Sequence, residues 1–275
     1  MRKPQSYSLI KNFIAEKYGL LLPKELRPLA RSHLCTFQEK YKVESWEFFF
    51  RTEEQIFESK KLEELVEIFL VGHTNFFRDN QQFELFKDVV IPSIISEKVL
   101  ENDKLDLKIW SAGCSTGEEP YSILISLMDF FGSSYGSIKC GCLATDISEK
   151  SLVKAREGIY TKAHYGKLFM TEYSNYIHST DKISFQIKDF LKQEAVFRHF
   201  NLNNQVYPFK NNFQVIFCRN VLIYFNNERR NHIVKNIVNH LDYNGFLLVG
   251  NSENFEYTKY GLIKMGHAVF KKVRP

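Results

Sequence analysis

Trp110-Ser111-Ala112-Gly113-Cys114-Ser115-Thr116-Gly117-Glu118-Glu119-Pro120-Tyr121-Ser122 carries a strand end, a loop of small residues and a helix start. Glycine lets a backbone approach a ligand closely. No Lys-Ser/Thr follows the second glycine, so the loop is not a phosphate-cradling P-loop, and the G-x-G-x-x-G spacing fails as well. Glu118 and Glu119 open the helix where a dinucleotide would place its pyrophosphate. Two anions there repel phosphate and suit a cationic ligand. The same pair would also serve simply by complementing the helix dipole.

Outward from this stretch, strands and helices alternate. Leu105 to Ser111 reads as a strand, Glu118 to Phe131 as a helix, and Cys140 to Thr145 as a second strand ending at Asp146. Ser148 can cap the next helix and Gly158 can close it. Phe213 to Cys218 is apolar almost throughout, as a buried parallel strand should be. Asn227 to Leu241 is an amphipathic helix, Phe246 to Val249 a strand, and His267 to Val273 a last strand. Such alternation implies an α/β fold with a parallel sheet and a ligand crevice at the carboxyl ends of its strands. Residues 160–200 break the rhythm; Ile183 to Ile187 alternate like an antiparallel edge strand, which marks an inserted β-subdomain.

The first seventy-odd residues read as helical instead. Leu9, Ile10, Phe13 and Ile14 recur at helical spacing, as do Ala30, Leu34, Phe37 and Tyr41, with Pro28 at a helix start or kink. Thr52 with Gln55 resembles a capping box, and Leu62, Leu65, Val66, Phe69 and Leu70 form an apolar stripe. The expected division is therefore a helical domain over 1–72 and an α/β domain over 73–275.

Composition sets outer limits. The 275 residues are 44% hydrophobic and 25% charged, an ordinary globular balance. No apolar run approaches the roughly 18 residues of a membrane span, and no secretory signal follows Met1-Arg2-Lys3, so a cytoplasmic protein is expected. Five cysteines, at 35, 114, 140, 142 and 218, match no zinc spacing and are expected to be reduced core residues; no metal site is expected. The net charge of +5 is uneven. Residues 1–42 hold nine Lys/Arg against three Glu, while residues 43–70 hold three against eight. A basic leading segment suits an acidic partner, although a solvated helix face would read the same way. The modest total argues against a nucleic-acid enzyme.

Three further places could carry chemistry. Asp146 at a strand end can accept hydrogen bonds from both hydroxyls of a ribose, or it is a turn aspartate. Together with the two glutamates it suits S-adenosylmethionine, which has an ammonium, a sulfonium and no phosphate. Phe217 to Phe225 carries a strand ending in Arg219-Asn220, with Tyr224 close behind. Arg219 buried alone would cost several kcal/mol, so a carboxylate partner is expected, from ligand or protein. Thr74-Asn75-Phe76-Phe77-Arg78-Asp79 is either a packed hinge or a segment that brings Arg78 over the active site.

These pieces, with Ala144 to Ile147 and Gly250 to Phe255, occur in the order found in the chemotaxis receptor methyltransferases, the CheR family, which the chain resembles over nearly its whole length. The resemblance implies a Rossmann-like methyltransferase domain with a small inserted antiparallel β-subdomain, preceded by a small all-helical N-terminal domain. It implies transfer of a methyl group from S-adenosylmethionine to glutamates on the cytoplasmic methylation helices of chemoreceptors, giving methyl esters and S-adenosylhomocysteine. By position, Thr74, Arg78, Glu119, Asp146, Asn201, Leu202, Arg219 and Asn220 match its cofactor-binding residues, and Arg78 and Tyr224 the residues nearest the transferred methyl. The basic N-terminal domain would meet the receptor helices. Two departures stand out. Gly72 replaces a family Asn, so that contact is absent or supplied by backbone or Asn75; and residues 176–187 lack the glycines of relatives that grip a receptor's C-terminal pentapeptide, which implies a pentapeptide-independent mode. A methyltransferase acting on another acceptor, or a cofactor-sensing module without turnover, are the competing readings. With no assembly motif, a monomer is expected.

Overall fold

A computed structural model describes residues 4–25, 27–56, 59–70, 74–100, 105–162 and 165–274. The chain forms two compact units, Met1–Val71 with Tyr224–Arg230, and Gly72–Ile223 with Asn231–Pro275.

The first unit is built on helices α1 (Pro4–Tyr18), α2 (Pro28–Lys40), α3 (Trp46–Glu53) and α4 (Lys60–Glu67). Pro28 sits in the first turn of α2, where its missing N–H costs nothing. Ile10, Ile14, Leu34, Phe37, Trp46, Phe49, Leu62 and Leu65 are buried and make its core. The expected Thr52 cap is not formed: Thr52 lies inside α3 and donates back to the carbonyl of Phe48. Ser45 and Ser59 cap α3 and α4 instead, accepting from the N–H groups of Phe48 and Leu62. Phe69 and Leu70 fall beyond the end of α4.

In the second unit, α5 (Asn80–Leu85) and α6 (Ile91–Leu100) lead into β1 (Asp106–Ala112), α7 (Glu118–Phe131), β2 (Lys139–Asp146) and α8 (Glu149–Glu157). Then come β3 (Ile159–Thr161), α9 (Gly166–Glu172), β4 (Ile177–Ser179), β5 (Ser184–Ile187), α10 (Asp189–Lys192), β6 (Ala195–His199) and β7 (Phe213–Cys218). The chain ends with α11 (Asn227–Asn239), β8 (Leu241–Val249), β9 (Leu262–Gly266) and β10 (Val269–Lys272). Seven strands form one sheet in the order β6-β2-β1-β7-β8-β10-β9. The first five are parallel, and β10 pairs antiparallel with both β8 and β9. The order reverses between β1 and β7, which is where a doubly wound sheet opens a crevice at its carboxyl edge.

Helix α7 is buried from Glu118 to Leu127, with Glu118, Glu119, Ser122 and Ser126 buried along it, and β7 is buried from Val215 to Cys218, apolar on both faces as a central strand should be. Ser148 and Gly158 bracket α8, the glycine at φ 64. A second sheet, β3-β5-β4, is the insertion. Four features differ from the sequence reading. Strand β5 is the middle of that small sheet, not an edge, since both neighbours are short strands contributed from outside the 183–187 run. Strand β6 pairs with β2 in the main sheet, so the insertion ends before residue 195. The amphipathic run expected to reach Leu241 stops at Asn239, and the last strand is half of a β9–β10 hairpin. Strand pairing with another segment, near or distant, and not local periodicity sets these limits.

Candidate functional site

At the tip of β1 the chain turns at Gly113 and Gly117, with φ 86 and 95. A side-chain carbon on Gly113 would lie 2.3 Å from Val221, and one on Gly117 2.8 Å from Ala155, so glycine is needed for space as well as for conformation. The N–H groups of Gly113 and Cys114 both donate to the carbonyl of Thr145 on β2 (2.8 and 2.9 Å), and Trp110 Nε1 donates to Thr145 Oγ1 (2.9 Å). Asp146, next along, accepts from Ser115 N (2.8 Å) at Oδ2 and from Ser148 N (2.9 Å) at Oδ1. Asp146 O accepts from Phe200 N (2.9 Å), which sets Asn201 and the buried Leu202 beside the same strand tip. Asn201 Oδ1 accepts from Asn203 N (2.8 Å), and Leu202 O from the Tyr207 hydroxyl (2.7 Å).

Across the crevice, Arg219 at the tip of β7 has a side chain only 2% exposed. Its Nη1 donates to Glu119 Oε2 (3.2 Å), and its Nη2 to Asp79 Oδ2 (2.9 Å) and to the carbonyl of Arg78. The carboxylate partner anticipated for Arg219 is thus a protein pair. Glu119 also accepts from Ser111 Oγ (2.7 Å). Burial pushes the Glu119 carboxyl above its usual range, while Arg219 pulls it down. Burial likewise raises Glu118, whose carboxylate accepts from Thr116 Oγ1 (2.6 Å) and the Tyr165 hydroxyl (3.2 Å). Two carboxylates, from Asp79 and Glu119, thus meet one guanidinium. Arg219 Nε is buried without a hydrogen-bond partner among the described residues. Cys114, Cys142 and Cys218 are buried with thiols pushed up by burial, so none is a ready nucleophile.

The expected residues therefore fall into two groups. Thr74, Arg78, Glu119, Asp146, Asn201, Leu202, Arg219 and Asn220 all belong to the second unit, and Arg78, Glu119 and Arg219 are joined directly. Tyr224 belongs to the first unit, where its carbonyl accepts from Leu21 N (2.8 Å). Gly72 lies outside the described residues. The segment with Arg78 is anchored by Phe77 N donating to Ser122 Oγ (2.9 Å) and by Phe76 against Tyr160, Tyr165, Phe169 and Phe185. Four non-glycine residues at positive φ, Phe77, Asp79, Ser115 and Asn220, gather in these segments, and such conformations persist where the surroundings hold them. Sequence reading assigned no role to Asp79, Ser111, Ser122 or Glu253, although each lies in a stretch it singled out: Asp79 in Thr74–Asp79, Ser111 and Ser122 in Trp110–Ser122, and Glu253 in Gly250–Phe255.

A nucleoside crevice whose helix start is too acidic for phosphate distinguishes S-adenosylmethionine-dependent methyltransferases of Rossmann-like fold from dinucleotide enzymes, and this fold is of that class. The family described as "CheR methyltransferase, SAM binding domain" matches residues 72–269. The chain is 32% identical to a chemotaxis protein methyltransferase of Borreliella burgdorferi, over 94% of this chain and 90% of the relative. It is 31% identical to chemotaxis protein methyltransferase 1 of Pseudomonas aeruginosa, over 90% and 89%. The chain belongs to the CheR methyltransferase family and is a methyltransferase of chemotaxis that uses S-adenosylmethionine.

Proposed function

We propose that the protein esterifies glutamate side chains on the cytoplasmic helices of chemoreceptors. The observation that carries this reading is the Arg219–Asp79–Glu119 cluster and the Asp146 loop at the carboxyl ends of the neighbouring strands β2, β1 and β7 of one sheet, which fit a cationic, phosphate-free nucleoside. When bound, S-adenosylmethionine supplies an electrophilic methyl group. Asp146 holds the ribose; Glu119 and Arg219 hold the ends of the amino-acid part; Thr74, Asn201, Leu202 and Asn220 complete the cradle. Arg78 and Tyr224 orient the acceptor carboxylate. A glutamate with an ordinary pKa near 4.3 is ionised at neutral pH, so no general base is needed, and positioning and exclusion of water carry the rate. The domain limits of this reading are 1–72 and 73–275. The basic N-terminal domain meets the acidic receptor helices in the cytoplasm, the enzyme acts as a monomer, and no pentapeptide tether is used.

The test is incubation with labelled S-adenosylmethionine and receptor cytoplasmic domains. Methyl esters release methanol in base, whereas N-methyl products do not. Base-stable label would move the acceptor to another group, and no label at all would favour a sensing module. Arg78→Ala is expected to lower single-turnover rate more than adenosylhomocysteine affinity measured by calorimetry; equal losses would remove Arg78 from its role.

A further inference from the structure

Beyond β8, Gly250-Asn251-Ser252-Glu253 turns back toward the tip of β7. Glu253 Oε1 accepts from Val221 N (2.8 Å) and Leu222 N (2.6 Å), and Oε2 from Asn220 N (3.0 Å) and Gly250 N (2.5 Å). Four backbone donors thus converge on one carboxylate. Three of them lead into the short 3-10 turn Leu222–Tyr224, whose first N–H groups have no partner within the turn. Burial pushes the Glu253 carboxyl up, and the four donors pull it down. Asn220 stands at φ 58, in the left-handed region that asparagine adopts more readily than most non-glycine residues.

Gly250 makes the same junction from the other side. A side-chain carbon there would lie 2.8 Å from both Asn220 N and Asn220 Nδ2, and 2.9 Å from Glu253 Oε2. The turn is itself tied down by Gln82 of α5, whose Nε2 donates to Val249 O (2.8 Å) and to Asn251 Oδ1 (3.2 Å). Gly250 therefore clears the space for Asn220, and Glu253 fixes its backbone.

We propose that Glu253 is a positioning residue of the methyltransferase site, which holds Asn220 left-handed and so aims the Arg219-Asn220 tip of β7 at the cofactor. This rests on the reading that those two residues bind the cofactor. Glu253→Gln keeps the shape but turns an amide NH2 toward two backbone donors. Titration calorimetry with S-adenosylhomocysteine should show its Kd raised about tenfold to a hundredfold, the equivalent of one or two unmade buried hydrogen bonds, with binding stoichiometry unchanged. Gly250→Ala, which keeps the carboxylate but presses on Asn220 and on Glu253 Oε2, should raise Kd in the same direction. The double variant should lose less than the two losses combined, because both act through one residue. A purely structural role would lower the stoichiometry, by reducing the folded fraction, and leave Kd alone. That result, or a Glu253→Gln variant with wild-type Kd, overturns the proposal. If Glu253→Gln does not fold, Gly250→Ala decides it by the same readout. A wild-type protein that binds no adenosylhomocysteine would instead overturn the cofactor reading itself.

Discussion

Arg219 is a guanidinium almost wholly removed from water, matched by Asp79, Glu119, the carbonyl of Arg78 and the ring of Phe83, 5.4 Å from its centre. A buried pair of this kind adds little by existing, but removing one partner leaves the other charge stranded. Arg219→Met should therefore destabilise the protein by about 3–5 kcal/mol, because Glu119 stays buried with no cation. On a chain of this size that is a fall of roughly 10 °C in thermal midpoint. A midpoint within a degree or two of wild type would mean that Glu119 has protonated or found water. The type of residue at 219 and its need for a carboxylate were legible from its place at the end of an apolar strand. Its actual partners were not, because Asp79 and Glu119 lie 140 and 100 positions away.

Among the elements, those with a strong local rhythm came out where the sequence placed them. Helix α7 begins at Glu118 and ends at Phe131, and Ser148 and Gly158 bound α8. Where a cap or a strand depended on a neighbour, the sequence misled. Thr52 is helical because Ser45 already caps α3, and β6 and β9 are strands because β2 and β10 offer them edges. The α3–α4 junction has a pH signature. Glu53 accepts from Lys61 Nζ and Ser59 Oγ, both at 2.6 Å. Burial pushes its carboxyl up, yet the hydrogen bonds from Lys61 and Ser59 prevail and hold it below the usual range. A carboxyl lowered on folding stabilises above its unfolded pKa, and that stabilisation fades as pH falls through the folded value. Glu53→Gln should thus cost about 1–3 kcal/mol at pH 7 in urea unfolding. The gap to wild type should narrow at pH 3, and a gap of the same size at both would rule the linkage out.

At the scale of the molecule, no helix among the described residues is long and apolar enough to cross a membrane. The second unit holds the five parallel strands, with Asp146 and Arg219 at their carboxyl edge, and all eight candidate cofactor residues. Anything that binds this folded edge and not the unfolded chain must raise stability by mass action. S-adenosylhomocysteine at a hundred times its Kd should add about 2.7 kcal/mol, or roughly 5–10 °C in midpoint. ATP, with its phosphates against Glu118 and Glu119, should add nothing. A shift with ATP equal to that with adenosylhomocysteine would contradict the acidic start of α7 as the selecting feature.

What the sequence determined alone is whatever depends on neighbours a few residues apart. That covers the strand-loop-helix at 110–131, the two glycines, the two glutamates that open α7, Asp146 at its strand end, and the order of motifs that places the chain in its family. What only the tertiary structure decided is which of these groups meet. Arg219 takes Asp79 and Glu119, Asp146 takes Ser115, and Glu253 takes the backbone of residues 220–222. The physical reason is that local pattern reports the period of a helix or strand. A buried charge, by contrast, finds its partner through sheet order, which joins segments far apart in the chain.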